Sequence, residues 1–366
     1  WKKKSAEKAN KESLKIKTEV AEIEKVSESR LLSNQELEGR NHGLQKILEM
    51  EKLVVMDLKQ KARVKWNVEG NENTKFFHGF INSKNKSKRI NGLMLNGKWT
   101  SGANEVKDAA FQFFKNKFTE TRTSRPKLIS PHFKSITIMQ AIKLEAPFSH
   151  KEVKDAVWAC GSEKAPGPDG LTFKFIKTYW EIIKDDVMKF VFHFDKFGTF
   201  ARGFNSTFIS LVPKVKDPLS LNDYRPISLI GCLNKIISKL LSIRIKSVIG
   251  GVIDDVQSAY VDGRCILDGP LIINEICSWA KRSKKRVLLF KVDFDKAFDS
   301  VKWEYLDSII GQMGFGNKWR MWIRGSLKSS RASIIINGSP TKEFSISKGV
   351  RQGDPLSPYL FIIAME

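Results

Sequence analysis

Three acids, Asp293, Asp295 and Asp299, close the stretch Leu288-Leu289-Phe290-Lys291-Val292-Asp293-Phe294-Asp295-Lys296-Ala297-Phe298-Asp299. The apolar run is short enough for a buried strand and delivers Asp293 to its end. Leu306, Ile309, Ile310 and Met313 then recur at helical spacing and stop at Gly314. A carboxylate where a strand ends and a helix begins points into the space above a sheet, where a metal-binding acid can reach a substrate phosphate. The plainer reading of such an acid is a helix N-cap or a solvated turn residue. Asp299 and Asp295 fit that reading; Asp293, on the last apolar-flanked position, fits it least.

The elements around these acids follow from spacing and punctuation. Residues 1 to 62 alternate Lys and Glu with apolar residues and contain no proline, which predicts one or two exposed helices, a hairpin interrupted near Gly39 to Gly43. From Lys61 to His78 basic residues interleave with aromatics, and Lys84, Lys86, Lys88 and Arg89 follow as a basic run. This mix can grip a nucleic-acid backbone by charge and a base by stacking, and is equally the surface of a small folded subdomain. Asn96-Gly97 predicts a hairpin turn, and Ala109 to Phe118 a helix with Phe113, Phe114 and Phe118 in a core. Thr119 to Pro147, with three prolines, reads as a linker.

Ser149 is a plausible N-cap for a helix over Lys151 to Cys160. Lys164-Ala165-Pro166-Gly167-Pro168-Asp169-Gly170 predicts a tight turn, followed by helices through Phe175, Ile176 and Tyr179 and from Val187 to Phe197. Phe208 to Lys214 reads as a strand and Tyr224 to Leu229 as its return. Leu233, Ile236, Ile237, Leu240, Leu241, Ile245 and Val248 predict an amphipathic helix closed by Gly250-Gly251. Ala332 to Ile336 and Phe344 to Ile346 predict hairpin strands turning at Asn337-Gly338. In Lys348 to Phe361, Asp354 before Pro355 predicts a helix start, with a capping carboxylate and proline at the first helical position.

The chain has 366 residues, 63 basic against 40 acidic side chains and a formal charge of +23. Hydrophobic content of 41% excludes a wholly disordered chain. The basic excess favours a polyanionic partner, most simply nucleic acid, over a membrane surface, for which no anchor motif is present. No apolar run reaches spanning length. Cys160, Cys232, Cys265 and Cys277 are scattered without zinc-ligand spacing and read as reduced, mostly buried thiols of an intracellular protein, nuclear or cytoplasmic. Basic clusters near 84–89 and 281–285 read as solvated loops before they read as import signals. The chain begins at Trp1 and stops at Glu366 within a helical pattern, so it reads as a fragment.

Taken in order, these segments resemble the reverse transcriptase of non-LTR (LINE-type) retrotransposons, closest in wording to the plant elements. Ala62 through His78 is similar to the connector before the polymerase, and Lys164 to Gly170 to the block that opens it. Val212-Pro213-Lys214 and Tyr224-Arg225-Pro226-Ile227-Ser228 resemble fingers motifs. Gln257-Ser258-Ala259-Tyr260 with Gly263-Arg264 resembles an extra fingers block, and Asp293 to Asp299 and Gly349 to Phe361 the first two palm motifs. Asn71 stands where the family often has an acid.

The resemblance implies an α+β fold: a helical linker (1–62), a basic connector subdomain (63–148), then right-hand fingers and an incomplete palm (149–366), an antiparallel sheet backed by helices. It implies RNA-templated DNA synthesis with two magnesium ions, and as partners template RNA, primer or target DNA and deoxynucleoside triphosphates. Asp293 and the backbone carbonyl of Phe294 would be metal ligands. Lys214 and Arg225 would hold the triphosphate as a point charge and a planar fork. Phe298 would lie under the sugar and exclude ribonucleotides, and Gln352 and Gly353 would line the nascent pair and template. Lys164, Asp169, Gln257 and Arg264 would serve the template or the fingers scaffold. The family's adjacent Asp-Asp pair lies beyond the second palm motif, outside this sequence, so the expectation is that these residues alone do not polymerise. The alternatives are a non-catalytic nucleic-acid-binding remnant of such an element, or another polymerase of this fold such as an intron maturase or telomerase, against which the wording of Pro166 to Gly170 and Asp354 to Pro358 argues.

Overall fold

A computed structural model of the chain describes residues 2–62, 86, 89–95, 97–121, 126–201, 203–294 and 296–366. The basic and aromatic stretch from Arg63 to His78, Asn71 and Asp295 lie outside the described residues. The chain divides into two compact units, Trp1–Arg89 and Ile90–Glu366.

The first unit contains two helices, α1 (Lys2–Ser27) and α2 (Asn34–Ala62). The expected break near Gly39 to Gly43 falls instead at residues 28–33. Ser33 starts α2 by exchanging hydrogen bonds with Glu36, whose carboxylate also pairs with Arg30. Gly43 sits inside α2, where a Cβ would come within 2.5 Å of Val20 on α1, so the missing side chain lets the helices approach. Lys17–Glu51 and Arg40–Glu24 pairs cross the hairpin at exposed sites, where each contributes little.

The second unit begins with a small hairpin, β1 (Leu93–Leu95) and β2 (Lys98–Thr100), and a helix, α3 (Ala103–Phe118). Val106, Ala110, Phe114 and Phe118 form the buried stripe of α3, as four-residue spacing dictates. Next come α4 (Ile138–Leu144), α5 (His150–Trp158), α6 (Phe173–Thr178) and α7 (Trp180–Phe197). β3 (Ser206–Pro213) and β4 (Tyr224–Ile230) follow, then α8 (Cys232–Lys246) and α9 (Asp268–Arg282). The chain continues with α10 (Trp303–Gln312), α11 (Asn317–Lys328), β5 (Arg331–Ile336), β6 (Ser339–Pro340), β7 (Phe344–Ser345) and α12 (Ser357–Met365).

The sheet order is β4-β3-β5-β6, with β7 also on β5; β3 and β5 run parallel and the other pairs antiparallel. This is the expected α+β class. Burial alternates along β3, placing Ile209 and Leu211 against α3, Phe344 and Ile334 in one core. A larger core of helices α5 to α8 and α10 to α12 is centred on Trp319, Trp322, Phe194 and Leu241. Residues 90–121 therefore fold with the segments that follow, because the apolar stripe of α3 covers the sheet.

Several local expectations need correction. The segment from Thr119 to Pro147 is no open linker where described. Thr137 and Gln140 form a capping box for α4, Ile136 N–H donates to Met313 O at 3.0 Å, and Gln312 bonds to Leu128 O and to the Ser130 N–H. Its prolines stop regular structure while Ile136, Leu144 and Phe148 anchor it in the core. Helix α8 ends at Ser247, and Gly250 and Gly251 lie within one further helical turn, Ile249–Val252, not at a helix stop. Helix α12 starts at Ser357, later than Asp354-Pro355 suggested: the Asp354 carboxylate accepts the Leu356 N–H at 2.9 Å and forms a turn before the helix. Cys265 and Cys277 are exposed; only Cys160 and Cys232 are buried.

The run Leu288 to Val292 is not a strand. It is exposed, with Leu288 at 92% and Phe290 at 84%, and no described strand pairs with it. A strand requires a hydrogen-bonding neighbour, and apolar content alone does not provide one. Among the described residues no helix is long and apolar enough to cross a membrane.

Candidate functional site

Strand β4 is the element on which several of the expected site residues meet. It is an edge strand, and Arg225, opposite Val212 of β3, is exposed on it. Lys214, just past β3, donates its backbone N–H to Asp223 O at 2.7 Å, and its Nζ donates to Asn222 O at 2.9 Å. The two cations thus leave adjacent antiparallel strands at the same end. Asp223 is held low by the Ser220 and Leu219 N–H groups and the Ser220 hydroxyl, which pin the turn between the strands.

Farther along β4, the Ser228 N–H donates to Gln352 O at 2.8 Å. Gly353 has φ +102°, and a Cβ there would stand 3.2 Å from Ser228 O, so the backbone approach needs glycine. Gln352 in turn reaches the segment after Asp293: its Nε2 donates to Asp299 Oδ1 at 3.1 Å. Gly349 and Val350 N–H groups donate to Val301 O and Phe298 O, and Trp303 Nε1 donates to Gly349 O. Gly349, at φ +84°, would place a Cβ 2.7 Å from Asp299 O. Phe298 stacks on Phe361 of α12. A cleft lined by Pro226, Ser228, Asp299, Lys348, Arg351 and Gln352 opens at this junction.

Asp299 is not the solvated N-cap its sequence position suggests. It is buried, at 4%, and its Oδ2 pairs with Lys117 Nζ of α3 at 2.7 Å. A buried carboxylate needs such a partner to offset desolvation.

The Lys164 to Gly170 turn packs on the far end of β4. Asp169 Oδ2 accepts the Cys232 N–H at 2.5 Å and Oδ1 the Leu171 N–H at 3.2 Å. Gly231, the N-cap of α8, has no side chain with which to cap, so Asp169 serves that role from another segment. Burial, with the Asp169 charge beside it, pushes the Cys232 thiol up to about 12. Lys164 is exposed in the same turn.

Gln257 and Arg264 stand apart from this cluster. Arg264 donates to the Asp254, Gln257, Gly250 and Ile253 carbonyls and pairs with Asp255, which ties its own loop together; Gln257 Oε1 accepts the Ala259 N–H. Asp293 and Phe294 are likewise not gathered in. Both are exposed, and Asp293 makes no hydrogen bond or ion pair among the described residues.

Sequence reasoning missed Lys117, Ser228, Asn205 and Arg351. Arg351 is buried, its Nη2 donating to Asn205 Oδ1, Ser326 O and Ser330 Oγ; Asn205 also receives Asn234 and donates to Ser326 O. Burial pushes the Arg351 guanidinium down, opposed by Asp354. Lys117 carried a readable signal, since it lies three residues after Phe114 on the apolar stripe of α3. Arg351 carried none.

A divalent magnesium ion takes oxygen ligands in near-octahedral geometry, and a two-ion centre needs several carboxylates together. The free Asp293 carboxylate suits one edge of such a site. Among the described residues no cluster of three potential ligands occurs, so a complete two-ion centre does not fit what these residues assemble.

The fold is of the α+β class, with the junction at β4 as its candidate site. Residues 212–366 match the model of the reverse transcriptase (RNA-dependent DNA polymerase) family. The chain is 28% identical over 310 residues to a transposon TX1 uncharacterized 149 kDa protein of Xenopus laevis, covering 84% of this chain and 24% of that protein. It is 27% identical over 220 residues to a retrovirus-related Pol polyprotein from type-1 retrotransposable element R2 of Popillia japonica, covering 59% and 29%. A probable RNA-directed DNA polymerase from transposon X-element of Drosophila melanogaster is 23% identical over 240 residues, covering 61% and 25%. The family match and the transposon names of these relatives agree with the resemblance to non-LTR retrotransposon reverse transcriptases read in the sequence. The chain spans about a quarter of the length of the curated relatives it matches.

Proposed function

We propose that the chain is the fingers and partial palm of a non-LTR retrotransposon protein that copies element RNA into DNA. The observation that supports this most is that the Gln352–Gly353 segment joins Ser228 of β4, the strand that carries Arg225, to Asp299 next to Phe298, although these come from distant segments. Arg225 and Lys214 would bind the triphosphate of a deoxynucleotide. Gln352 and Gly353 would face the nascent pair, and Phe298 the sugar. Asp169 and Arg264 would hold fingers segments in place, with Lys164 and Gln257 beside the template.

Magnesium, when bound, would neutralise charge on the transferred phosphate; Asp293 and the Phe294 carbonyl are the ligands this chain would contribute. The activity would belong to a whole protein of the relatives' length, and these 366 residues alone would bind template and primer without extending them. The charge of +23 supports RNA and DNA as partners.

The test is binding of a labelled RNA template annealed to a DNA primer, across a salt series, alongside primer extension by the parent protein. Affinity that falls steeply with salt, together with extension by the parent, supports the reading. Binding without extension by the parent would favour a nucleic-acid-binding remnant. Salt-independent or absent binding would contradict both.

A further inference from the structure

We infer that Asp299, held by Lys117, is a positioning residue that orients the Gln352 amide so that its oxygen is the atom offered to the nascent base pair. The inference rests on the polymerase reading above.

A carboxylate paired with an ammonium can only accept hydrogen bonds. Asp299 uses both oxygens, Oδ2 for Lys117 Nζ at 2.7 Å and Oδ1 for Gln352 Nε2 at 3.1 Å. The Gln352 NH2 group must therefore face Asp299, and Oε1 points away from it. An amide without such a neighbour can turn over and present either end. Backbone contacts fix the two ends of the arrangement. Asp299 N–H donates to Lys296 O at 2.9 Å, Gly349 packs against the Asp299 carbonyl, and Ser228 holds the Gln352 carbonyl. Lys117 comes from α3, anchored in the sheet core by Phe114 and Phe118.

A buried ion pair contributes little net stability over an apolar pair of similar shape, so stability alone is a weak account of this one. Orientation of the adjacent amide is a role that an accept-only carboxylate performs without ambiguity, whereas an amide in its place could present either end. An accepting oxygen facing the nascent pair selects a hydroxyl or amino donor on the nucleotide or template.

The experiment measures binding of a labelled RNA template–DNA primer duplex to the 366-residue chain by fluorescence anisotropy. It compares wild type, Asp299→Asn, Gln352→Ala and the double variant. Because Asp299→Asn leaves Lys117 without its carboxylate, Lys117→Met/Asp299→Asn is made with and without Gln352→Ala, and thermal melting follows folding. Each of Asp299→Asn and Gln352→Ala is expected to weaken binding roughly fivefold, and the double variant no more than Gln352→Ala alone. A merely structural role would weaken binding equally in both backgrounds, and that result would overturn the inference. So would unchanged binding by Asp299→Asn, or failure of both Asp299 variants to fold. Absence of binding by the wild type would overturn the polymerase reading itself.

Discussion

The ring of Phe298 lies flat on that of Phe361, with centroids 4.4 Å apart and planes inclined by 17°. Phe298 follows Asp293 in one motif and Phe361 lies in α12 in the other, so the stack joins the two palm segments. A ring proposed to gate the sugar is then only as firm as the ring behind it. Phe361→Ala should cost about 2 kcal/mol of stability, the ring being half-buried. In the parent protein it should also, through Phe298, raise ribonucleotide incorporation relative to deoxynucleotide. Single-nucleotide extension with paired substrates reads the ratio; an unchanged ratio with lowered stability would confine Phe361 to packing.

Arg351 joins the start of β3 to the end of α11 through Asn205, Ser326 and Ser330. Arg351→Met removes the guanidinium and leaves buried acceptors unpaired, at about 3 kcal/mol. Arg351→Lys keeps the charge but cannot span the same acceptors, and should recover less than half of that. Urea unfolding of the three forms measures both differences.

Asp169 caps α8 from another segment. Asp169→Ala should lower stability by about 1 kcal/mol, the ordinary worth of an N-cap. Asp169→Asn, which can still accept the Cys232 N–H, should lose less. A denaturant midpoint that does not move for Asp169→Ala would remove the capping role.

Burial pushes the Glu152 carboxyl up, but hydrogen bonds and charge from Arg244, with the Ser149 N–H, outweigh it and hold the group below its ordinary value. A carboxyl depressed in the fold contributes stability above its unfolded pKa, near 4.3, and loses it as pH falls through the folded value. The difference between wild type and Glu152→Gln should therefore be about 1 kcal/mol at neutral pH, modest because Glu152 is partly exposed. It should shrink as pH falls below the unfolded value and through the lower folded one. Chemical denaturation across that range checks the sign; a difference that grows in acid would contradict it.

What the sequence disclosed was local. Apolar spacing located α8 and α10, Ser149 caps α5 as its position suggests, and Asn337-Gly338 turns β5 into β6 with φ +49° and +84°. These depend on neighbours a few positions apart. The partners of Asp299, Asp169 and Arg351 arrive from segments far along the chain, and no periodicity announces them. Leu288 to Val292 makes the same point in reverse: its composition suits a strand, but a strand exists only with a neighbour to pair with. Lys214 and Arg225 were legible as types, and the register of β3 with β4 is what sets them side by side.

Primer extension on an RNA template, with magnesium and deoxynucleotides, tests the central claim most directly. It compares these 366 residues, the longer parent protein, and the parent carrying Asp293→Asn. Extension by the parent alone, abolished by the substitution, is the predicted result. Extension by the 366 residues alone, or by the Asp293→Asn parent, would contradict the account of where the metal ligands lie.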